Sequence, residues 1–305
     1  MGQSWLELPA EYPAADLAVL RLGKRCPARL QTDLPSLLLI LLLGVYAFHK
    51  EHLGKLYAFM GALVVGTLPI VFMHATMGYA NLPFAIYIAF GVLALYQAYR
   101  GGPKRYGQLG GILFGLAVWT RPEGLVMTAM IWAAFLATTL VLGPDLTPRD
   151  LVLSIVLFLV VILPWQLFLK VHGANPLIQQ APRTALAAIG RADLHLEAFY
   201  WIFRFLVGQL IDLRVWGLIL PLGFVVLAAN YRRIKQITLR NTAPLTVMFI
   251  AVGLSMVGYY YLVSFVGDLK FWLGSGVNRM FLPAGIMGAI WVFHISGWTD
   301  VNESA

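Results

Sequence analysis

Eight residues of this mostly apolar chain have the types and placement to do chemistry: His74, Tyr79, Asn81, Arg121, Glu123, Asp268, Lys270 and Arg279. Arginine suits one task, because its planar fork holds phosphate oxygens bidentately and keeps its charge. A carboxylate suits another, because a base beside a hydroxyl accepts its proton as a new bond forms. Together they describe a site that grips an anion and activates a hydroxyl. The clearest fragment is Trp119-Thr120-Arg121-Pro122-Glu123-Gly124, which sets two charges between apolar runs at 109–118 and 125–142. An ionisable residue inside or at the edge of a bilayer is costly enough to be a functional hypothesis by default. Pro122 lacks a backbone donor and Gly124 loosens the chain, so a break between two helices is expected here.

Each residue also has a plain structural role open to it. Arg121 and Glu123 could pair with each other and cap the break. Glu123 at a helix start also suits the positive end of the helix dipole. Arg279 could snorkel to headgroups. His74 could be a satisfied interfacial histidine, and Asp268 and Lys270 solvated loop charges. A metal held by His74, Asn81 and Glu123 has no ligand spacing behind it, so neither a divalent ion nor any other cofactor is firmly implied. Nucleotide-binding loops, a nucleophile elbow and zinc-protease spacing are absent from the sequence. The glycine pair Gly110-Gly111 lies in a helical run and reads as close helix packing.

The elements that must position these residues follow from composition. The 305 residues are 60% hydrophobic and 12% charged, with a mean hydropathy of +0.77. A soluble domain of this length cannot hide that much apolar surface, so lipid is the expected solvent. The net charge of +8 is assigned to cytoplasmic loops and anionic headgroups rather than to nucleic acid. Cys26 is the single cysteine, which excludes an intrachain disulfide. No cleavable leader is recognisable at the start.

Apolar runs at 34–48, 56–73, 82–99, 107–119, 123–142, 151–169, 216–229, 243–265 and 277–295 predict an all-α polytopic bundle of about nine spans. Residues 34–298 form this transmembrane domain, 1–33 an outer-loop remnant, and 299–305 a short tail. If the spans alternate, the basic loops 49–55, 100–107 and 230–242 share the cytoplasmic side, with the short loop 143–150. The eight residues above then gather at the opposite face. The stretch 170–214 also lies there, with an amphipathic interfacial helix expected from Asp193.

Three segments together resemble the C-type (GT-C) integral-membrane glycosyltransferases, in the branch of protein mannosyltransferases and lipid A aminoarabinose transferases. His74-Ala75-Thr76-Met77-Gly78-Tyr79-Ala80-Asn81-Leu82-Pro83 is similar to the family's GYADLP loop. Residues 110–124 are similar to its GLLLGLAxxTRPEG helix pair, and 268–279 to a late DLxWxLxxxxxR segment. Glu11-Tyr12-Pro13 resembles a YP element in the first outer loop. The similarity covers about residues 10–295, in matching order and spacing.

The resemblance implies a multi-pass enzyme of the cell membrane that moves a sugar from a polyprenyl-phosphate donor to an acceptor hydroxyl on the extracytoplasmic face. The acceptor would be a lipid, glycan or protein. Arg279, with Arg121, would hold the donor phosphate; His74, Tyr79, Asn81, Asp268 and Lys270 would line the pocket. Two departures stand out. The family carries its main acidic residue in the first outer loop, after an initial helix that this chain would lack if truncated. Glu11 and Asp16 are the acids left there, with Glu123 the third candidate base. Asn81 stands where the family commonly has aspartate, and an amide is no base. Two other readings stay open: a lipid-linked glycan transporter or flippase, and a catalytically inactive membrane scaffold.

Overall fold

The computed structural model describes residues 27–76, 80–143, 147–172, 195–217 and 239–302, with single positions between 184 and 228. Every regular element among them is an α-helix. In chain order these are α1 Pro27–Leu53, α2 Lys55–Thr67, α3 Pro69–Thr76, α4 Asn81–Tyr99, α5 Arg105–Thr120 and α6 Glu123–Leu142. They continue as α7 Pro148–Val171, α8 Leu196–Leu210, α9 Leu213–Trp216, α10 Leu239–Val263 and α11 Leu269–Asn302.

Proline sets two of the breaks. The residue before a proline is pushed out of the helical region into extended backbone. Leu68, before Pro69, has φ −60° and ψ 119°, and the α2–α3 pair bends there by 64°. The run 56–73, expected as one span, is therefore two helices. Arg121, before Pro122, has φ −152° and ψ 138°, so the chain leaves α5 and restarts as α6 two residues later. A Cβ on Gly124 would lie 2.7 Å from the Ala117 carbonyl oxygen, so glycine lets α6 begin against the last turn of α5.

The helix α4 is the hub, with 83% of its apolar stretch buried, against 11% for that of α7. It packs on α5, which packs on α7; α6 lies against α10, and α11 against both α10 and α4. The glycine pair serves this crossing. A Cβ on Gly111 would collide with the Ser154 carbonyl of α7, and one on Gly110 would come within 3.0 Å of Leu95. The start of α7 is fixed by Thr147, whose hydroxyl accepts from the Asp150 amide at 3.3 Å and donates to the Asp150 carboxylate at 2.5 Å.

Among the described residues, five helices are long and apolar enough to cross a membrane, or six if the bent pair counts as one span. The expected nine came from counting shorter runs too: α5 has 16 residues, and the stretch 216–229 falls almost wholly outside the described residues. Three further boundaries move. Residues 49–53, read as a basic loop, finish α1, and residues 27–33, read as loop remnant, begin it. Residues 269–279, read as loop, are the first turns of α11, whose charged start masked its helical character.

Contacts fix which loops share an end. Lys104 Nζ meets Asp150 Oδ2 at 3.3 Å, and Arg100 Nη1 reaches His52 Nδ1 at 3.1 Å. Residues 49–55, 100–107 and 147–150 thus sit at one end of the bundle.

Candidate functional site

At the other end, four elements bring their polar residues into one buried cluster. His74 is in the last turn of α3, Asn81 opens α4, Arg121 fills the α5–α6 break, and Glu123 opens α6. His74 and Asn81 are each 3% exposed, so their polar atoms must find partners in the protein or in a ligand. Because Pro122 holds Arg121 extended, its side chain can turn back on Glu123. Arg121 Nη2 donates to Glu123 Oε1 at 2.6 Å and Nε to Oε2 at 3.3 Å. Arg121 Nη1 donates to Asn81 Oδ1, and Asn81 Nδ2 lies 3.3 Å from His74 Nδ1. The order is a relay: Glu123, Arg121, Asn81, His74.

The open side of this relay is closed by α10 and α11. Arg121 and Arg279 both act electrostatically on the His74 ring. The same two cations and Glu123 lie close enough to act electrostatically on Tyr259 and Tyr260. A methyl placed on Gly276 would lie 3.2 Å from the Tyr260 hydroxyl and 3.6 Å from Arg279 Nη2. Glycine at 276 therefore leaves a cradle between phenol and guanidinium.

Three buried atoms here have no hydrogen-bond partner: His74 Nε2, the Tyr260 hydroxyl and Arg279 Nε. Such groups cost free energy unless a ligand or water completes them. Among the described residues Arg279 also makes no ion pair, whereas Arg121 is neutralised by Glu123. Arg121 commits three of its five N–H groups to protein acceptors and keeps two.

The other expected site residues lie apart or out of view. Asp268 is exposed, and its Oδ1 accepts from the Lys270 and Phe271 amides at 2.9 and 3.3 Å, capping α11. Lys270 is exposed and sits 4.0 Å over the Trp201 ring. Glu11, Asp16 and Tyr79 lie outside the described residues. No group of three His, Cys, Asp or Glu among the described residues is placed to hold a metal ion.

Two features were not anticipated. Tyr259 and Tyr260 are absent from the residues singled out by sequence; the three consecutive tyrosines 259–261 in an apolar helix are the available signal. A second polar cluster fills the end of the bundle where α1, α4 and α11 finish. His294 Nε2 meets the Tyr96 hydroxyl at 2.9 Å, and Gln97 Nε2 lies 2.9 Å from both Glu51 Oε2 and His52 Nε2. His49 is fully buried beside them, with neither ring nitrogen partnered. On α4, Asn81 and Gln97 stand 16 residues apart, about 24 Å along the helix, most of the thickness of a hydrocarbon core, about 30 Å.

An apolar cavity of about 520 Å³ lies between α8, α10 and α11, lined by Leu206, Phe249, Met256, Phe281 and Trp291 among others. Met256 and Phe281 place its near end within a turn of Tyr260 and Arg279. No family model, curated protein or solved structure matches this chain.

Proposed function

We propose that the chain is a membrane glycosyltransferase of the GT-C type, moving a sugar from a polyprenyl-phosphate donor to an acceptor hydroxyl on the extracytoplasmic face. The observation that carries this reading is the set at one end of the bundle: Arg279, with no counter-charge among the described residues, beside Tyr260 and His74 with unpartnered polar atoms. A phosphate group has the oxygens and the charge to complete all three. The apolar cavity that starts near Arg279 has the character to receive the lipid chain of such a donor. Arg121 and Glu123 hold the relay in place, and Arg279 takes the phosphate.

A transporter for the same lipid would be expected to carry polar residues at mid-depth in several spans. Here the two polar clusters lie at opposite ends of α4, which favours the enzyme. Radiolabelled polyprenyl-phosphate sugars incubated with membranes containing the chain test the reading. Label should reach an acceptor; no transfer, while an established polyprenyl-phosphate-sugar transferase works in parallel, would sink it.

A further inference from the structure

The identity of residue 81 decides what His74 can do. Arginine has donors and no acceptor, so the atom of Asn81 facing Arg121 Nη1 must be the amide oxygen. That fixes the other end of the amide: Nδ2, a donor, faces His74 Nδ1 at 3.3 Å. A donor facing Nδ1 requires that nitrogen to be the acceptor, and in a neutral imidazole the proton then resides on Nε2. His74 Nε2 is the buried atom that has no partner, and it carries a hydrogen.

We propose that Asn81 locks His74 as the Nε2–H tautomer, so that His74 donates a hydrogen bond to the phosphate of the bound donor and cannot act as its base. This rests on the phosphate reading of the site above. All three unpartnered groups can then donate: imidazole N–H, phenol O–H and guanidinium N–H. Three donors together, one of them cationic, favour an acceptor-rich anion over a metal ion. An aspartate at 81 would do the reverse. Its second oxygen would accept from Nδ1–H, moving the proton off Nε2 and leaving a lone pair that faces the ligand. Residue 81 is thereby a positioning residue for His74, and the choice of amide over acid sets whether that ring gives or takes a proton.

The test is nitrogen-15 NMR of the full chain in lipid nanodiscs with labelled histidine, recorded well above the ordinary imidazole pKa of about 6.5. The His74 signals are those lost in His74→Gln. The expected wild-type result is a protonated Nε2 and an unprotonated Nδ1, reversed in Asn81→Asp. A wild-type ring protonated at Nδ1 overturns the proposal, with no need for the Asn81 variant to fold. Adding a short-chain polyprenyl phosphate should shift the Nε2 signal. A ring that is Nε2–H but indifferent to that lipid overturns the donor role and the phosphate reading, while leaving the tautomer assigned.

Discussion

The Tyr96 hydroxyl and the His294 ring, 198 positions apart in the chain, meet in a buried 2.9 Å hydrogen bond. It ties the end of the central helix α4 to α11, the helix that carries Arg279 near its other end. One contact therefore braces, from the far side, the register of α11 against the hub.

Removing that hydroxyl should loosen the brace. Tyr96→Phe leaves a buried imidazole nitrogen short of a partner, which costs about 1–3 kcal/mol. The thermal midpoint of the detergent-solubilised protein should fall accordingly; an unchanged midpoint would show that the bond contributes nothing.

Breaking the Arg121–Glu123 pair should cost more. Their side chains are 12% and 8% exposed, and removing one partner of a buried ion pair leaves a charge uncompensated, at about 3–5 kcal/mol. Glu123→Gln should therefore destabilise strongly, and the double variant Arg121→Met/Glu123→Leu less than the sum of its parts. Additive losses in a thermal double-variant cycle would mean that the two charges do not act as a pair.

Gly111 and Gly274 make a matched test of packing. A Cβ on Gly111 meets the Ser154 backbone, which cannot yield as a side-chain end can; Gly274 has open space. Gly111→Ala should cost about 1–3 kcal/mol, and Gly274→Ala much less. Equal midpoints for the two variants would contradict the close α5–α7 crossing.

The phosphate reading makes a paired prediction at Arg279. Arg279→Lys keeps the charge and loses the fork, so polyprenyl-phosphate affinity should drop about tenfold, about 1.4 kcal/mol. Gly276→Ala keeps both partners and fills the cradle between them, so affinity should fall with little change in stability. Binding by microscale thermophoresis that is unmoved by either substitution would assign Arg279 to headgroup snorkelling.

What the sequence disclosed and concealed has physical causes. Residues 123–142 were readable as one helix because Pro122 and Gly124 punctuate its start and its apolar run is unbroken. The meeting of His74, Asn81, Arg121 and Glu123 was readable because alternating helices return to one end. The bend at Pro69 was missed because hydropathy treats a proline inside an apolar run as neutral, although its effect on Leu68 is local and strong. The start of α11 was missed because Asp268 and Lys270 look like loop charges, when one caps the helix and the other lies over Trp201. Tyr260 was missed because an aromatic residue in an apolar helix does not announce whether its hydroxyl faces lipid or a cavity. The histidine cluster required contacts between α1, α4 and α11 that no local pattern encodes.

Among the described residues Arg279 has no counter-charge while Arg121 is cancelled by Glu123, so the site holds one positive charge in surplus. A lipid-phosphate sugar is a phosphodiester with a single negative charge, and its arrival would bring the pocket to electrical neutrality. Departure of the sugar turns that diester into a monoester, whose charge at neutral pH is about −1.5 to −2. The spent carrier then exceeds what the pocket can balance, in surroundings where an unbalanced charge is costly. On the proposed reading, this mismatch in charge parity distinguishes loaded carrier from spent one and favours release after transfer.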